Sequence, residues 1–386
     1  MNENDITDLK KIYRTGNVGN FPDELNLSFK KVEDLRYGEN PNQPGALYEI
    51  RGVSLAELTN LTLVKSGKGG PSATNVLDVT RALEILKFFS KPAVSVMKHL
   101  VPSGFSVQNN DESLCEIYKN ARDADARSAF GSVVVFNKKV DKETAEEIMT
   151  SYVEAVAAPD FDKDAEEILG SKKNMRLFKF SNLDKIPKFA GDDTQGMFDL
   201  KVMNTGNLIV QVPYLSKIKS KEDLILNPRI RNDETDISVN REPNSQELKD
   251  LMTAWYINIG VRSNGIVIVK NGITLAVGSG QQERVGAVEQ AILKAYQKAC
   301  DREDIEYDTM NMEESKKKLS ENPLKGSVLA SDGFFPFRDS IDLVAKHGIS
   351  AVIQPGGSVK DKEVIEGVND HNMSMVFTTE RCFAHF

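Results

Sequence analysis

The sequence predicts an α/β fold in two halves, on three observations. Short apolar runs alternate with stretches in which apolar residues recur every three or four positions, the pattern of strands alternating with amphipathic helices. A polar, turn-rich stretch over 178–245 separates two regions of this pattern. One scheme, an apolar helix followed by an apolar strand and then Pro and Gly, occurs at 77–104 and again at 338–358.

These observations favour two copies of one helix–strand unit. Any two αβ units share such a scheme, so the pattern alone leaves the duplication open. We expect the first unit to cover 1–188, with an N-terminal lead-in. The second then covers 189–386, with the connecting region at its start.

In the first half, helices and strands follow one another closely. Residues 75–89 predict an amphipathic helix that leads into a buried strand at 93–97. The "VPSG" that follows is rich in turn residues and predicts a loop. A second strand is predicted at 128–140, and a helix followed by a third strand at 142–159.

The second half has clearer local signals. Asn244 is a predicted helix N-cap because Glu247 lies three residues later, the spacing of a capping box. Residues 265–280 predict a hairpin with Asn271 and Gly272 at its turn. A long helix is predicted at 282–299.

The composition excludes several classes of protein. A chain of 386 residues with 40% apolar and 27% charged residues is typical of globular proteins. The net charge of −8 argues against non-specific binding to nucleic acid or to an anionic membrane. The sequence contains neither an apolar run of membrane-spanning length nor a signal peptide, and its three cysteines are far apart. We therefore expect a reduced, cytoplasmic protein.

Lys98 and His99 stand side by side where a predicted strand ends, in a chain with only four histidines. One interpretation is structural: a histidine bonded to the backbone and a lysine in solvent. The other is catalytic, since an ammonium group favours a neutral, basic imidazole beside it and also stabilises negative charge on a carbonyl oxygen. The spacing alone does not separate the two.

Three further stretches carry candidate binding residues. In "LASDGFFPFRDS" three phenylalanines surround a proline, either as a core plug or as a stacking wall for a flat heterocycle beside Asp339. The glycine loop "GSGQQER" opens a predicted helix, a place where anions bind. The "RSNG" at 262–265 reads as a turn.

Together these stretches resemble one family. The chain is similar to the 5-aminoimidazole-4-carboxamide ribonucleotide (AICAR) formyltransferase part of bifunctional purine-biosynthesis enzymes. Eight motifs follow the family's order from about residue 35 to the end: "LRYGENPNQ", "KHLVPSG", "SAFGSVVVFN", "VRSNGIVIVKNG", "GSGQQERV", "SDGFFPFRDSID", "AVIQPGGS" and "TTERCFAHF". Because the match begins so early, we expect a free-standing transformylase without the inosinate cyclohydrolase domain.

The resemblance implies a fold of two cytidine-deaminase-like α/β units. The zinc ligands of the deaminases are absent, because the sequence has neither H-x-E nor P-C-x-x-C. The implied reaction moves a formyl group from the co-substrate 10-formyltetrahydrofolate to the 5-amino group of AICAR, giving formyl-AICAR in purine biosynthesis. In that reaction, His99 would take the proton of the amine, Lys98 would stabilise charge, and Asn264 would lie beside the formyl group.

The resemblance also implies binding residues. Those on the nucleotide side are Arg36, Tyr37, Lys68, Gly69, Phe130, Gly131, Glu154 and Arg381. Those on the folate side are Arg284, Phe334, Pro336, Phe337 and Asp339. A homodimer with shared active sites is implied as well, in which Arg284 reaches the partner's nucleotide site.

The chain departs from the usual family pattern near these residues, at Val101, Ser103, Ala126 and Ala384. Some relatives bind potassium at positions matching Ser263 and Asp332, and Ala384 stands where they have a histidine. The alternative interpretation is a catalytically altered folate- or nucleotide-binding homologue. An enzyme that uses formate and ATP is disfavoured, because the sequence has no G-x-x-x-x-G-K-[ST] loop.

Overall fold

The computed structural model describes residues 21–51, 59–232, 235–308 and 311–386. The described chain begins with a hairpin of β1 (Phe29–Leu35) and β2 (Gly45–Ile50). The rest of the first half comprises β3 (Thr62–Lys65), α1 (Ala73–Leu86), β4 (Ala93–Lys98), β5 (Val101–Val107), α2 (Leu114–Asp123), α3 (Ala126–Ala129), β6 (Ser132–Phe136), α4 (Lys142–Met149), β7 (Val153–Ala158), α5 (Lys163–Gly170) and β8 (Arg176–Lys179).

The connecting region holds two further hairpins. They are formed by β9 (Asp199–Val202) with β10 (Leu208–Gln211), and by β11 (Arg229–Asn232) with β12 (Thr235–Ser238). The second half comprises α6 (Ser245–Asn258), β13 (Ile266–Lys270), β14 (Ile273–Gly278), α7 (Arg284–Arg302), α8 (Met312–Lys318), β15 (Val328–Ser331), α9 (Asp339–Lys346), β16 (Ala351–Gln354), α10 (Asp361–Asp370) and β17 (Ser374–Phe377).

Eleven of the described strands form one mixed sheet, which confirms the predicted α/β class. Their order is β17-β16-β15-β13-β14-β5-β4-β6-β7-β8-β3. The two halves meet at the centre, where β14 pairs antiparallel with β5 through Ile273 and Ser106. The sheet is therefore continuous from one half to the other.

The same order of elements occurs twice in this sheet. In each half a helix precedes an antiparallel hairpin, β4–β5 or β13–β14. The first strand of the hairpin pairs antiparallel with the third strand, and the next two strands continue in parallel. Helices lie between the later strands at matching places, so each half is one α-β-β-α-β-α-β-α-β series.

The prediction that 77–104 and 338–358 are corresponding segments of the two halves is wrong. Segment 338–358 contains α9 and β16, and β16 lies between two parallel neighbours, whereas β4 in segment 77–104 lies between two antiparallel ones. By position in the sheet, residues 72–104 correspond to 244–276. An apolar helix before an apolar strand reports burial but not position in a sheet, and this is why the pairing was wrong.

The prediction of a loop at "VPSG" is also wrong, because Val101–Val107 form strand β5. The chain reverses at His99 and Leu100, and Lys98 pairs with Val101 across this two-residue turn. Pro102 lies beside a register shift between Val96 and Met97, where the ladder is irregular. Gly104 is required because a Cβ there would lie 1.9 Å from the carbonyl oxygen of Ala121 in α2.

The local predictions in the second half are confirmed. Asn244 caps α6 and forms the capping box with Glu247. Asn271 and Gly272 form the turn of the β13–β14 hairpin, both with positive φ. The predicted long helix is α7.

Helices cover both faces of the sheet. On one face α1 and α6 pack over both halves, and their side chains share one core that contains Leu83 and Trp255. The chain just after α6 approaches α1 closely, since a Cβ on Gly260 would lie 2.5 Å from the side chain of Ile85. On the other face, separate cores lie under α2, α4 and α5 and under α7, α9 and α10. The shared core holds the two halves together through apolar burial.

None of the helices in the described ranges has the length and apolar character that a membrane crossing requires. The same residues contain no group of three or more His, Cys, Asp or Glu side chains arranged to hold a metal ion.

We expect Gly104→Ala to destabilise the protein by about 1–3 kcal/mol or more, because the new methyl group has no space against the backbone of α2. Gly170→Ala is the matched control, since a Cβ at the end of α5 meets nothing within 4 Å. Urea unfolding followed by circular dichroism measures both. Equal midpoints for the two variants would show that β5 is not packed against α2 in this way.

Candidate active site

The residues singled out in the sequence fall into two groups. The first group surrounds the N-terminal part of α1 and comprises Arg36, Tyr37, Lys68, Gly69, Lys98, His99, Phe130, Gly131 and Glu154. The second group surrounds the end of β15 and comprises Ser263, Asn264, Arg284, Asp332, Phe334, Pro336, Phe337, Asp339 and Arg381.

Lys98 and His99 lie at the tip of the β4–β5 hairpin. The Lys98 ammonium group donates to the carbonyl oxygens of Gly131 at 2.8 Å and Phe130 at 3.2 Å. His99 and Leu100 both have left-handed backbone conformations, with φ of 55° and 69°. The lysine is thus directed back to the β6 side, while the exposed histidine stands on the turn.

Phe130 and Gly131 lie beside this lysine. Gly131 has φ of +69°, and a Cβ there would lie 3.3 Å from the Lys98 nitrogen. The Phe130 ring is 67% exposed and lies 5.1 Å from the Tyr152 ring. An exposed ring beside two carbonyl groups and an ammonium group is suited to contact with a polar heterocycle.

Two residues of α1 that the sequence analysis missed complete this group. Asn75 donates to the Glu154 carboxylate at 3.1 Å, and Asp78 accepts the backbone N–H of Leu100 at 2.7 Å. Burial raises the pKa of Asp78 from 3.8 to about 6, with Glu154 adding to the rise and the Leu100 N–H and Lys98 opposing it. A buried aspartate inside the apolar "NVLDV" run was the available signal.

Arg36, Tyr37 and Gly69 meet at the N-terminus of α1. Pro71 accepts the Arg36 N–H at 2.9 Å, and the carbonyl oxygen of Tyr37 accepts the N–H of Ala73 at 3.1 Å. A Cβ on Gly69 would lie 3.5 Å from the Arg36 side chain. A guanidinium group beside the positive end of a helix dipole is suited to an anion.

This loop is held from below by Arg176, a buried residue that the sequence analysis did not single out. Its guanidinium group donates to the carbonyl oxygens of Gly70 at 2.8 Å and Lys68 at 3.5 Å. Lys68 therefore lies in the same loop, with its backbone tied to β8.

Asp332 is the centre of the second group and is fully buried. Its Oδ2 accepts the Ser263 hydroxyl at 2.6 Å and the Gly265 N–H at 2.9 Å, and its Oδ1 pairs with Arg284. Its backbone oxygen accepts the N–H of Cys382 at 3.1 Å. The carboxylate thus joins the 262–265 turn, the start of α7 and the C-terminal segment.

Ser263 and Asp332, the positions suggested for potassium, are joined here by a hydrogen bond. Both carboxylate oxygens of Asp332 already accept hydrogen bonds from protein groups, and Arg284 supplies the positive charge. The Arg284 side chain is only 8% exposed, and its ion-pair partner is Asp332 of the same chain.

The aromatic stretch after Asp332 combines both interpretations of it. Phe335 is fully buried, as a core plug would be, whereas Phe334 is 39% and Phe337 56% exposed. Asp339 is exposed at the first position of α9, and its Oδ1 accepts the N–H of Ser340 at 2.6 Å. Pro336 lies between Phe335 and Phe337 in the chain and is half-buried.

Arg381 belongs to the second group in this structure. Its guanidinium group lies 4.8 Å from the centre of the Phe383 ring. The guanidinium group of Arg284 lies 5.9 Å from the centre of the same ring. Within the described ranges, no hydrogen bond or ring contact joins Arg381 to Arg36 or Tyr37.

A cavity of about 540 Å³ is lined by residues of both halves of the chain. Lys98 and His99 line it from the first half, and Arg262 and Gly280 line it from the second. This follows from the central pairing, since β5 begins just after the His99 turn and its antiparallel neighbour β14 ends just before Gly280. Asn264 is tied to this loop, donating to the carbonyl oxygens of Gln281 and Gln282 at 2.9 and 3.1 Å.

Two lysines of α7 also line this cavity, and the sequence analysis did not single them out. Lys298 pairs with Asp125 at 3.0 Å, and Lys294 donates to the Val277 carbonyl oxygen at 3.1 Å. Burial lowers the pKa of both ammonium groups. Among the Lys, Arg, Asp and Glu residues of the lining, Lys98, Arg262, Lys294 and Lys298 are basic and Asp125 is acidic, a balance that suits anionic ligands.

Comparisons with known proteins agree with the resemblance seen in the motifs. The family model described as AICARFT/IMPCHase bienzyme matches residues 6–294. The bifunctional purine biosynthesis protein PurH of Persephonella marina is 39% identical over 95% of this chain and 62% of its own length. The PurH proteins of Magnetococcus marinus and Aquifex aeolicus are 39% and 37% identical over 98% and 97% of this chain, and over 64% and 63% of theirs. The chain thus spans less than two thirds of the length of these curated relatives.

We expect Arg284→Ala to lower the free energy of unfolding by about 3–5 kcal/mol, because it leaves the buried Asp332 carboxylate without its counter-charge. Arg127→Ala is the control: it removes an exposed arginine from its ion pair with Asp301, and we expect a loss of about 1 kcal/mol or less. Denaturant titration gives both values. A loss for Arg284→Ala no larger than that of the control would contradict the buried pairing.

Proposed function

The chain belongs to the AICARFT/IMPCHase bienzyme family, and from that premise we propose that it transfers a formyl group from 10-formyltetrahydrofolate to the 5-amino group of AICAR. The observation that carries the proposal is the cavity that Lys98 and His99 line together with Arg262 and Gly280. The Asn264 side chain is bonded to Gln281 and Gln282, directly after Gly280. Formyl-AICAR and tetrahydrofolate are the products.

The chemistry assigned to the pair is general-base and electrostatic catalysis. The amine nitrogen of AICAR attacks the formyl carbon while His99 accepts the N–H proton. Negative charge develops on the formyl oxygen, where Lys98 stabilises it. Two of the three ammonium protons of Lys98 are directed at Phe130 and Gly131, which leaves the third for the substrate. The bond to N10 of the folate then breaks, and that nitrogen takes up the proton.

The remaining residues bind the two substrates in this proposal. Arg36, Tyr37 and the loop of Lys68 and Gly69 hold the nucleotide phosphate at the start of α1. Phe130, Gly131 and Glu154 contact the base and ribose. Arg381 is the one residue of the second group that the resemblance assigns to the nucleotide rather than to the folate.

The second group of residues takes the folate. Phe334, Pro336 and Phe337 form a stacking wall, and Asp339 accepts hydrogen bonds from the amino and ring N–H groups of the pterin. Arg284 is the folate-side arginine of the resembled family, and its pairing with Asp332 supports a role in holding that side together.

We also propose the finer organisation that the resemblance implies. The two halves, 1–188 and 189–386, are cytidine-deaminase-like units, a proposal supported by the repeated order of their helices and strands. The functional unit is a homodimer with two shared active sites. Three buried, unpaired cysteines support a reducing compartment, the cytoplasm.

The assay that tests the reaction uses the pure protein with AICAR and 10-formyltetrahydrofolate, and it follows formyl-AICAR and tetrahydrofolate together. We expect turnover, and His99→Ala should lower kcat by about a hundredfold or more while AICAR still binds. Lys98→Arg should also fail, because a planar guanidinium group does not replace a compact ammonium group. Binding of both substrates without turnover by the unmodified protein would instead favour a catalytically altered homologue.

The shared-site dimer is tested by complementation. His99→Ala protein is mixed with Asp339→Ala protein under subunit-exchange conditions, at a folate concentration where each is inactive alone. The exposed Asp339 replaces Arg284 here, because an Arg284 variant is expected to be unstable. If the two residues serve one site from different chains, mixed dimers contain one intact site and activity returns. No recovery despite proven exchange would place both residues of a site in one chain.

A further inference from the structure

The hairpin that carries Lys98 and His99 has a counterpart in the second half of the sheet. In β4–β5 the last ladder pair before the turn is Lys98 with Val101, and in β13–β14 it is Lys270 with Ile273. A register shift follows at the same distance from both turns, at Val96 and at Ile268. The two hairpins therefore share one backbone geometry.

The two turns differ in how well their residues suit that geometry. Asn271 and Gly272 have φ of 53° and 78°, and Asn-Gly is the residue pair that such a turn prefers. His99 and Leu100 adopt nearly the same angles, 55° and 69°. A histidine and a leucine are both strained there, since their Cβ atoms crowd the backbone in the left-handed region. The Asn271–Gly272 turn is favoured by its own residues. The His99–Leu100 turn is not, so other parts of the fold must stabilise its conformation.

An aspartate on the preceding helix contacts the turn in both halves. Asp250 of α6 accepts the N–H groups of Asn271 and Gly272, both at 2.8 Å. Asp78 occupies the corresponding position in α1 and accepts the N–H of Leu100 at 2.7 Å. Both aspartates are buried.

The carboxylate of Asp78 thus satisfies a backbone donor of the strained turn from inside the fold. Lys98 and Glu154 are the charged groups that act on it, one of each sign. Without an acceptor at this place, the Leu100 N–H would lose its partner, and the turn could relax toward conformations that suit His and Leu. The positions of the Lys98 and His99 side chains would change with it.

We propose that Asp78 is the positioning residue of the Lys98–His99 pair, holding their turn in its left-handed conformation through the Leu100 N–H. The proposal rests on the proposed function for its effect on catalysis. Its effect on the turn is independent of any reaction. Asp250, which supports a turn without candidate catalytic residues, provides the matched control.

The kinetic experiment compares Asp78→Ala, Asp78→Asn and Asp250→Ala. Asp78→Ala should lower kcat for formyl transfer by about 10²-fold, the scale expected when catalytic groups are displaced, with little change in KM for AICAR. Asp78→Asn keeps an oxygen acceptor and should retain most of kcat. Asp250→Ala should lower Tm about as much as Asp78→Ala does, yet leave kcat within about twofold of the unmodified protein. Its turn lies at the opposite end of β14 from Gly280, which lines the cavity.

A compensating change separates positioning from general stability. Leu100→Gly added to Asp78→Ala should restore much of kcat, because glycine adopts positive φ without strain and the turn no longer needs the carboxylate. If kcat falls equally in Asp78→Ala and Asp250→Ala, in proportion to lost folded protein, Asp78 is only a structural residue and the proposal is overturned.

Hydrogen exchange measured by mass spectrometry tests the turn without any activity. Peptides that cover 97–103 should exchange faster in Asp78→Ala only, and peptides that cover 269–275 should exchange faster in Asp250→Ala only. Unchanged exchange at 97–103 would overturn the proposal. If the unmodified protein has no transferase activity but the exchange pattern is as expected, the proposed function fails and the support of the turn by Asp78 stands.

Discussion

The pairing of β5 with β14 at the centre of the sheet is the constraint on which the rest of the structure depends. Thr274 is buried there, and its hydroxyl accepts the N–H of Phe105 at 2.8 Å and donates to the carbonyl oxygen of that residue at 3.3 Å. The N–H of Val107 donates to Gly272 at 3.0 Å. Because the two strands run antiparallel, the start of β5 and the end of β14 lie at the same edge. The Lys98–His99 turn is thereby placed opposite the Gly280 loop.

Around this junction, buried charge rather than apolar packing organises the second half of the site. Asp332 is fully buried, and it satisfies its charge with Arg284 and its remaining acceptor capacity with Ser263 and Gly265. Such a cluster is tolerated only when every member is paired. The C-terminal segment is drawn into it through Cys382, and it continues to Phe386, whose ring lies 3.9 Å from the Arg81 guanidinium group on α1. The last residues therefore connect both halves.

The repeated hairpins show how one scaffold serves two purposes. In the second half, Asn271 and Gly272 form a turn that suits its own residues. In the first half, His99 and Leu100 occupy the same geometry under strain. Strained backbone of this kind persists only where the surrounding structure holds it, and such places are concentrated at functional sites. The same fold thus supplies one relaxed hairpin and one that carries the candidate catalytic pair.

The sequence alone determined those features of this protein that depend on local interactions. The capping box at Asn244 and Glu247, the turn at Asn271 and Gly272, and the motifs that mark the family all depend on neighbouring residues, which a sequence displays directly. Tertiary structure decided the rest. Gly104 and Pro102 read as turn residues, but the approach of α2 and an irregular ladder place them in a strand. Asp78, Asp332 and Arg284 acquire their roles from partners distant in the chain, in an interior where unpaired polar groups are destabilising. The spacing of residues in the sequence does not indicate which buried donor each carboxylate contacts, because that depends on how the helices pack on the sheet.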